Sequence, residues 1–226
     1  MGFINTTKEQ LLDFLFPKFC LLCDMKGSYL CANCRREKIV TFDREICHVC
    51  GKFSEANLVH FNCQPRTNLN AVYSAVYYDK NAAKILAELK YSLHFAIAPE
   101  LAEIMLGKLD LLQLTYDLIL PVPLSRRRLW WRGFNQAELL AAPLGASKSN
   151  FKLLKRIRHT RTQVGLDRSA RLNNLKDAFQ ASEAVADKKI LLIDDVYTTG
   201  STMEACAEIL LQAGAYNVNG FTWARD

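Results

Sequence analysis

The chain changes its hydrophobic period several times, and each change marks an element. AVYSAVYYD, from residue 71, alternates as a strand does, and NAAKILAELKY and APELAEIMLGKLDLL then return apolar residues at helical spacing. YDLILPVPL is an aliphatic strand ended by Pro121 and Pro123, FNQAELLAAPLG a helix closed by glycine, and FKLLKRI a strand. In KKILLIDD the aliphatic run 190–193 reads as an internal strand whose carboxyl end is Asp194 and Asp195. A helix from 202 to about 213 and a last strand, NVNGFTWA, follow. This alternation predicts an α/β fold, a mostly parallel sheet with helices on both faces, over residues 70–226.

Residues 1–69 follow another pattern. LLDFLFPKF places Leu11, Leu12, Phe14, Leu15 and Phe16 in a short helix ended by Pro17. Beyond it the apolar residues thin out and cysteines take over, seven of the eight lying between Cys20 and Cys63. They form the pairs Cys20/Cys23, Cys31/Cys34 and Cys47/Cys50, with His60/Cys63 repeating the spacing. Two residues between ligands let a tight turn aim both side chains at one ion, so eight ligands predict two structural zinc ions in a double ribbon. The pairing, sequential or crossed, stays open, and His48 is expected to point away. A module with so little core folds by binding its metal. Cys206 lies in the apolar face of a helix and reads as a small buried hydrophobe.

Charge is unevenly spread. Between Ser125 and Arg171, twelve lysines and arginines stand against two acids, Glu138 and Asp167, an excess of ten where the whole chain carries +6. Such a segment suits a polyanion. No secretory leader opens the chain and no run of about 20 apolar residues crosses it, so the expectation is a cytoplasmic protein whose thiols meet metal rather than pair as disulfides.

In ILLIDDVYTTGST the strand end meets Thr198, Thr199, Gly200, Ser201 and Thr202, small residues that let backbone N–H groups and hydroxyls close on one phosphate at a helix N-terminus. Two carboxylates would repel that phosphate if they touched it. They suit sugar hydroxyls, or a metal ion that bridges to diphosphate. The lysine of a P-loop and the G-x-G-x-x-G of a dinucleotide fold are both missing.

This stretch resembles the phosphoribosyl pyrophosphate (PRPP) signature of type I phosphoribosyltransferases. The resemblance implies that Asp194 and Asp195 meet the ribose 2′- and 3′-hydroxyls and that residues 198–202 hold the 5′-phosphate. It further implies that the loop after Pro121, with Arg128 and Arg132, holds the diphosphate together with Mg2+. PVPLSRRRLWWRGFNQAELLA, RHTRTQVGL and RLNNLKDAF in turn resemble the ComF (ComFC) family of competence proteins, over nearly the whole chain from LFPKFCLLC onward. That family implies uptake of single-stranded DNA in natural transformation, beside a DNA translocase at the cytoplasmic side of the membrane, with membrane association through partners.

Single-stranded DNA has its own candidates here. Arg126, Arg127, Arg158 and Arg161 can follow phosphates, while Trp130, Trp131 or Phe134 can stack bases, although at least one tryptophan is expected in the core. Three functions stay open: a DNA-binding competence protein with a PRPP pocket, an active phosphoribosyltransferase, and a zinc-ribbon adaptor. Thr198 stands where purine-salvage relatives carry an aspartate. His159, the one side chain in IRHTRTQ that titrates near neutrality, reads as a bystander, so no catalytic base is indicated.

Overall fold

The computed structural model describes residues 17–91, 95–145, 147–158, 175 and 177–226. The helix expected at 11–16, His159 and Arg161 lie outside them. After helix α1 (Ala32–Lys38) in the cysteine module come β1 (Ala71–Tyr77), α2 (Lys80–Tyr91), α3 (Ala98–Leu112) and β2 (Leu118–Pro121). Then follow α4 (Arg126–Arg132), α5 (Gln136–Ala141), β3 (Leu154–Arg156), β4 (Phe179–Ala181), β5 (Lys189–Tyr197), α6 (Ser201–Gln212) and β6 (Asn217–Arg225).

Four strands form one parallel sheet in the order β1-β6-β5-β2. Successive side chains on a strand point to opposite faces, and β5 shows it: Leu191 and Ile193 join Ile85, Leu101, Met105 and Leu140 on the face covered by α2, α3 and α5. Ile190 and Leu192 join Met203, Cys206 and Leu210 of α6 on the other. Cys206 is fully buried there. Burial on both faces is why the central strands are continuous aliphatic runs.

Three expectations change. FKLLKRI contributes only β3, which pairs antiparallel with β4 in a separate two-stranded sheet. Of its three residues only Leu154 is buried, too little for a sheet covered on both faces. β5 does not end at Asp194 and Asp195 but runs on to Tyr197, because the nine-residue β6 continues to pair, Asp194 with Thr222 and Tyr197 with Arg225. The loop expected after Pro121 spans only residues 122–125, and helix α4 follows it. Ser125 caps it, its hydroxyl accepting from the Arg128 N–H at 3.4 Å, and Gly133 at φ +81° ends it.

The cysteine module lies along the open edge of β1. Phe42 N–H donates to Ala75 C=O at 2.9 Å, Tyr77 N–H to Val40 C=O at 2.8 Å, and Val59 N–H to Asn70 C=O at 3.0 Å. An exposed parallel edge is a template for aggregation, and the ribbons cover it.

Candidate functional site

The cysteines gather as two clusters in chain order, Cys20, Cys23, Cys31 and Cys34, then Cys47, Cys50, His60 and Cys63. In each, the four ligand atoms lie within 4.8 Å of one another. The pairing is therefore sequential. Cys23 and Cys31 sulfurs stand 3.7 Å apart, against about 3.8 Å for the edge of a tetrahedron with Zn–S bonds of ~2.3 Å. In the second cluster His60 Nδ1 is 3.3 Å from Cys50 Sγ, while Nε2 donates to the Phe53 carbonyl at 2.9 Å. That outer bond fixes the tautomer and leaves Nδ1 as the ligand atom. Thiol acidity fits the same picture. Despite the desolvation that burial imposes, N–H groups such as that of Cys31 lower Cys20 to about 7. Burial and the neighbouring sulfurs push Cys34 up to about 12. Four thiolates coexist only around a cation, so the donor sets fit structural zinc.

The second site is a cavity of about 620 Å³ at the carboxyl ends of β2 and β5, where open α/β sheets bind ligands. Asp194, Asp195 and Thr202 line one side. The other side carries Ser125, Arg127, Arg128, Trp130, Trp131 and Arg132 of the α4 region, and Lys90, Tyr91, Gln136 and Arg156 complete the wall. A buried polar relay crosses the floor. Arg132 Nη1 donates to Gln136 Oε1 at 2.5 Å, Gln136 Nε2 donates to Asp195 Oδ1 at 3.3 Å, and Lys90 pairs with Asp195 Oδ2.

The adjacent acids are driven apart electrically. Burial and the neighbouring Asp195 charge raise Asp194 well above the usual carboxylate range. Asp195 is buried too, yet the Lys90 ammonium and Gln136 hold it low. Burial alone would pull Lys90 down, but Asp195 outweighs it and keeps the amine above its ordinary value. The raised acid beside a lowered, paired one gives the pair capacity to accept from vicinal hydroxyls and, where Asp194 carries its proton, to donate to them.

Gly200 holds the left-handed conformation, φ +72°, that starts α6, and Ser201 is buried. Thr199 and Ser201 hydroxyls lie 3.0 Å apart, whereas Thr198 is exposed. Arg126, Arg127, Arg128 and Arg158 are also exposed. Arg132 is instead buried, its guanidinium 5.5 Å from the Tyr91 ring centre, so it reaches Asp195 only through Gln136. Neither tryptophan packs in the core: Trp130 is 87% exposed and Trp131 63%, the latter 6.1 Å from the Tyr91 ring. α4 is a single short helix whose inner face is taken by Arg132, and this leaves both indoles outside. Phe134 is half-buried against Phe95.

Sequence reasoning missed Lys90, Tyr91, Gln136 and Arg156. Lys90 follows the buried Leu89 in the last turn of α2, and no local motif sets it apart from any surface lysine.

Residues 11–64 match a family described as "Double zinc ribbon domain", and residues 133–222 one described as "Phosphoribosyl transferase domain". The chain is 33% identical to the "DNA utilization protein YhgH" of Escherichia coli O6:H1, over 89% of this chain and 94% of the relative. It is 31% identical to the "Competence protein ComFC" of Streptococcus pneumoniae, over 91% of each. A solved structure described as "Structure of the allosteric regulatory enzyme of purine biosynthesis" aligns at 20% identity and a TM-score of 0.38, covering 56% of this chain and 25% of the other. Among the described residues no helix is long and apolar enough to cross a membrane.

Proposed function

Because this chain belongs to the ComF (ComFC) family of competence proteins, we propose that it serves competence by holding single-stranded DNA on the basic, aromatic surface of α4, beside a pocket that binds PRPP with Mg2+. One observation carries the reading: Asp194, Asp195 and Thr202 of the PRPP-like motif and the Arg127/Trp130/Trp131 surface line the same cavity. Ribose hydroxyls suit Asp194 and Asp195, a 5′-phosphate suits residues 198–202, and the diphosphate suits Arg128, with Arg132 acting from beneath. DNA phosphates then follow Arg126, Arg127 and Arg158 while bases stack on Trp130 and Trp131. Two ligands on one cavity must influence each other's binding.

The test is fluorescence anisotropy of a labelled single-stranded oligonucleotide against the zinc-loaded protein, in a salt series, with and without Mg-PRPP. Affinity that falls log-linearly with salt and shifts with PRPP is the expected result. No binding at low salt overturns the DNA reading. Calorimetry with Mg-PRPP is expected to lose all binding in the Asp194→Ala/Asp195→Ala double variant while zinc content stays unchanged, and retained binding refutes the pocket assignment.

The buried Lys90–Asp195 pair favours a second reading, phosphoribosyl transfer to an unidentified acceptor, since it holds a cation beside the site of the leaving diphosphate. Diphosphate release in a nucleobase screen tests it. Exposed Phe53 (74%) and Phe61 (83%) on the second ribbon support an added adaptor role towards a DNA translocase at the cytoplasmic face of the membrane. Substituting both with serine separates partner capture from DNA affinity.

A further inference from the structure

Glu204 stands in the first turn of α6, two residues beyond the 198–202 loop, and is only 4% exposed. A buried carboxylate that close to an anion-holding loop opposes a phosphate unless it is aimed elsewhere and neutralised. Here the cysteine module turns it towards itself and holds it there by hydrogen bonds. The Thr67 hydroxyl donates to Glu204 Oε1, and the Asn68 N–H donates to Oε2 at 2.8 Å. His48, 8% exposed, places Nε2 3.6 Å from Oε1 and 2.9 Å from Thr67 Oγ1. His48 lies between the ligand candidates Cys47 and Cys50, and Thr67 and Asn68 follow the 3₁₀ turn Phe61–Arg66 that contains Cys63. The partners of Glu204 are thus delivered from within the second cluster, by His48, and by the chain that leaves it, through Thr67 and Asn68.

That ribbon also reaches the loop from beneath. The Tyr197 ring lies so close under Gly200 that a Cβ there would fall 2.4 Å from the tyrosine oxygen. The same ring meets His48 edge-on at 6.1 Å and carries the Arg225 guanidinium 5.0 Å from its centre. Glu204 N–H in turn donates to the Gly200 carbonyl at 2.9 Å. The loop is therefore gripped between a carboxylate strut and an aromatic plate, both braced on the second ribbon. The first ribbon is braced elsewhere: Glu100 of α3 accepts from the Tyr29 and Leu30 N–H groups, at 3.1 and 2.5 Å.

We propose that Glu204 is the positioning residue through which the second ribbon, when it holds its metal, sets the phosphate loop, so that filling of the Cys47/Cys50/His60/Cys63 site and filling of the pocket are linked. The inference rests on the ribose-phosphate reading of the pocket. Without metal the knuckle that presents His48 loses its shape, and Glu204 loses a partner and turns its charge towards the loop. Linkage is reciprocal: the factor by which metal strengthens ligand binding is the factor by which ligand strengthens metal binding.

The test uses ribose 5-phosphate and the full chain loaded with two zinc ions. Calorimetry is expected to show binding about tenfold weaker in Glu204→Gln and in Thr67→Val, within the usual range of such couplings, with both zinc ions retained. Glu208→Gln, on the exposed face of the same helix, should bind as the wild type does. A second measurement needs no variant: zinc release to a chromogenic chelator, with and without saturating ribose 5-phosphate. One of the two ions is expected to leave about tenfold more slowly in its presence, the other at an unchanged rate. Unchanged affinity in both variants, or release of both ions indifferent to the ligand, overturns the coupling alone. Failure of the wild type to bind ribose 5-phosphate overturns the pocket reading and the coupling with it.

Discussion

At the scale of residues, the two adjacent aspartates are set to opposite tasks by their surroundings. Asp194 has its folded-state pKa raised, so the stability it contributes is complete below the unfolded value of about 3.9 and is lost as pH rises through the folded value. Asp194→Asn removes that loss. The unliganded variant is expected to melt higher at neutral pH, and the gain should vanish below about pH 4. Asp195 is the reverse case. Its lowered pKa stabilises above the unfolded value and is lost in acid, so Asp195→Asn should lower the melting temperature at neutral pH by leaving Lys90 unpaired. Thermal melts from pH 4 to 8 check both signs. On α4, Arg127→Ala should reduce the salt slope of single-stranded DNA binding by about 0.7. Trp130→Ala should cost about 1–3 kcal/mol of affinity with the slope unchanged. Anisotropy in a salt series separates the two.

Elements explain why these residues meet. The turn from β5 into α6 works because Gly200 adopts φ +72°, a left-handed conformation costly for a residue with a Cβ, and sits so close above the Tyr197 ring that a Cβ would not fit. Gly200→Ala carries about 1–2 kcal/mol of left-handed backbone cost before the clash with Tyr197 is counted. It should lower the melting temperature and abolish ribose 5-phosphate binding together. α4 illustrates a different point. Its seven residues present Arg132 inward and the tryptophans outward, so a segment that reads as uniformly basic and aromatic is divided by helical geometry into a pocket floor and an exposed surface. The acids and hydroxyls were legible beforehand because they lie within nine consecutive residues, 194–202. Lys90 was not, because a lysine after a buried leucine is ordinary until α2 packs it against Asp195.

For the whole molecule, the ribbons serve as a covering for β1 as well as a metal module. Zinc removal by a strong chelator should therefore do more than unfold a small domain. It should uncover the edge of β1, lower the melting temperature of the sheet domain and promote aggregation, read by light scattering and reversed by zinc added back early. By itself the sequence determined the candidate metal donors, the hydroxyl-rich loop after the two aspartates and the alternation of strands and helices, since each depends on residues a few positions apart and on the repeat of the local backbone. Sequential pairing of the clusters, the Lys90–Asp195 contact, the confinement of β3 to a separate sheet and the seating of His48 on Glu204 were decided only in the tertiary structure. These depend on contacts between residues tens to more than a hundred positions apart, as between Thr67 and Glu204, and nothing in the local pattern distinguishes such partners until packing brings them together.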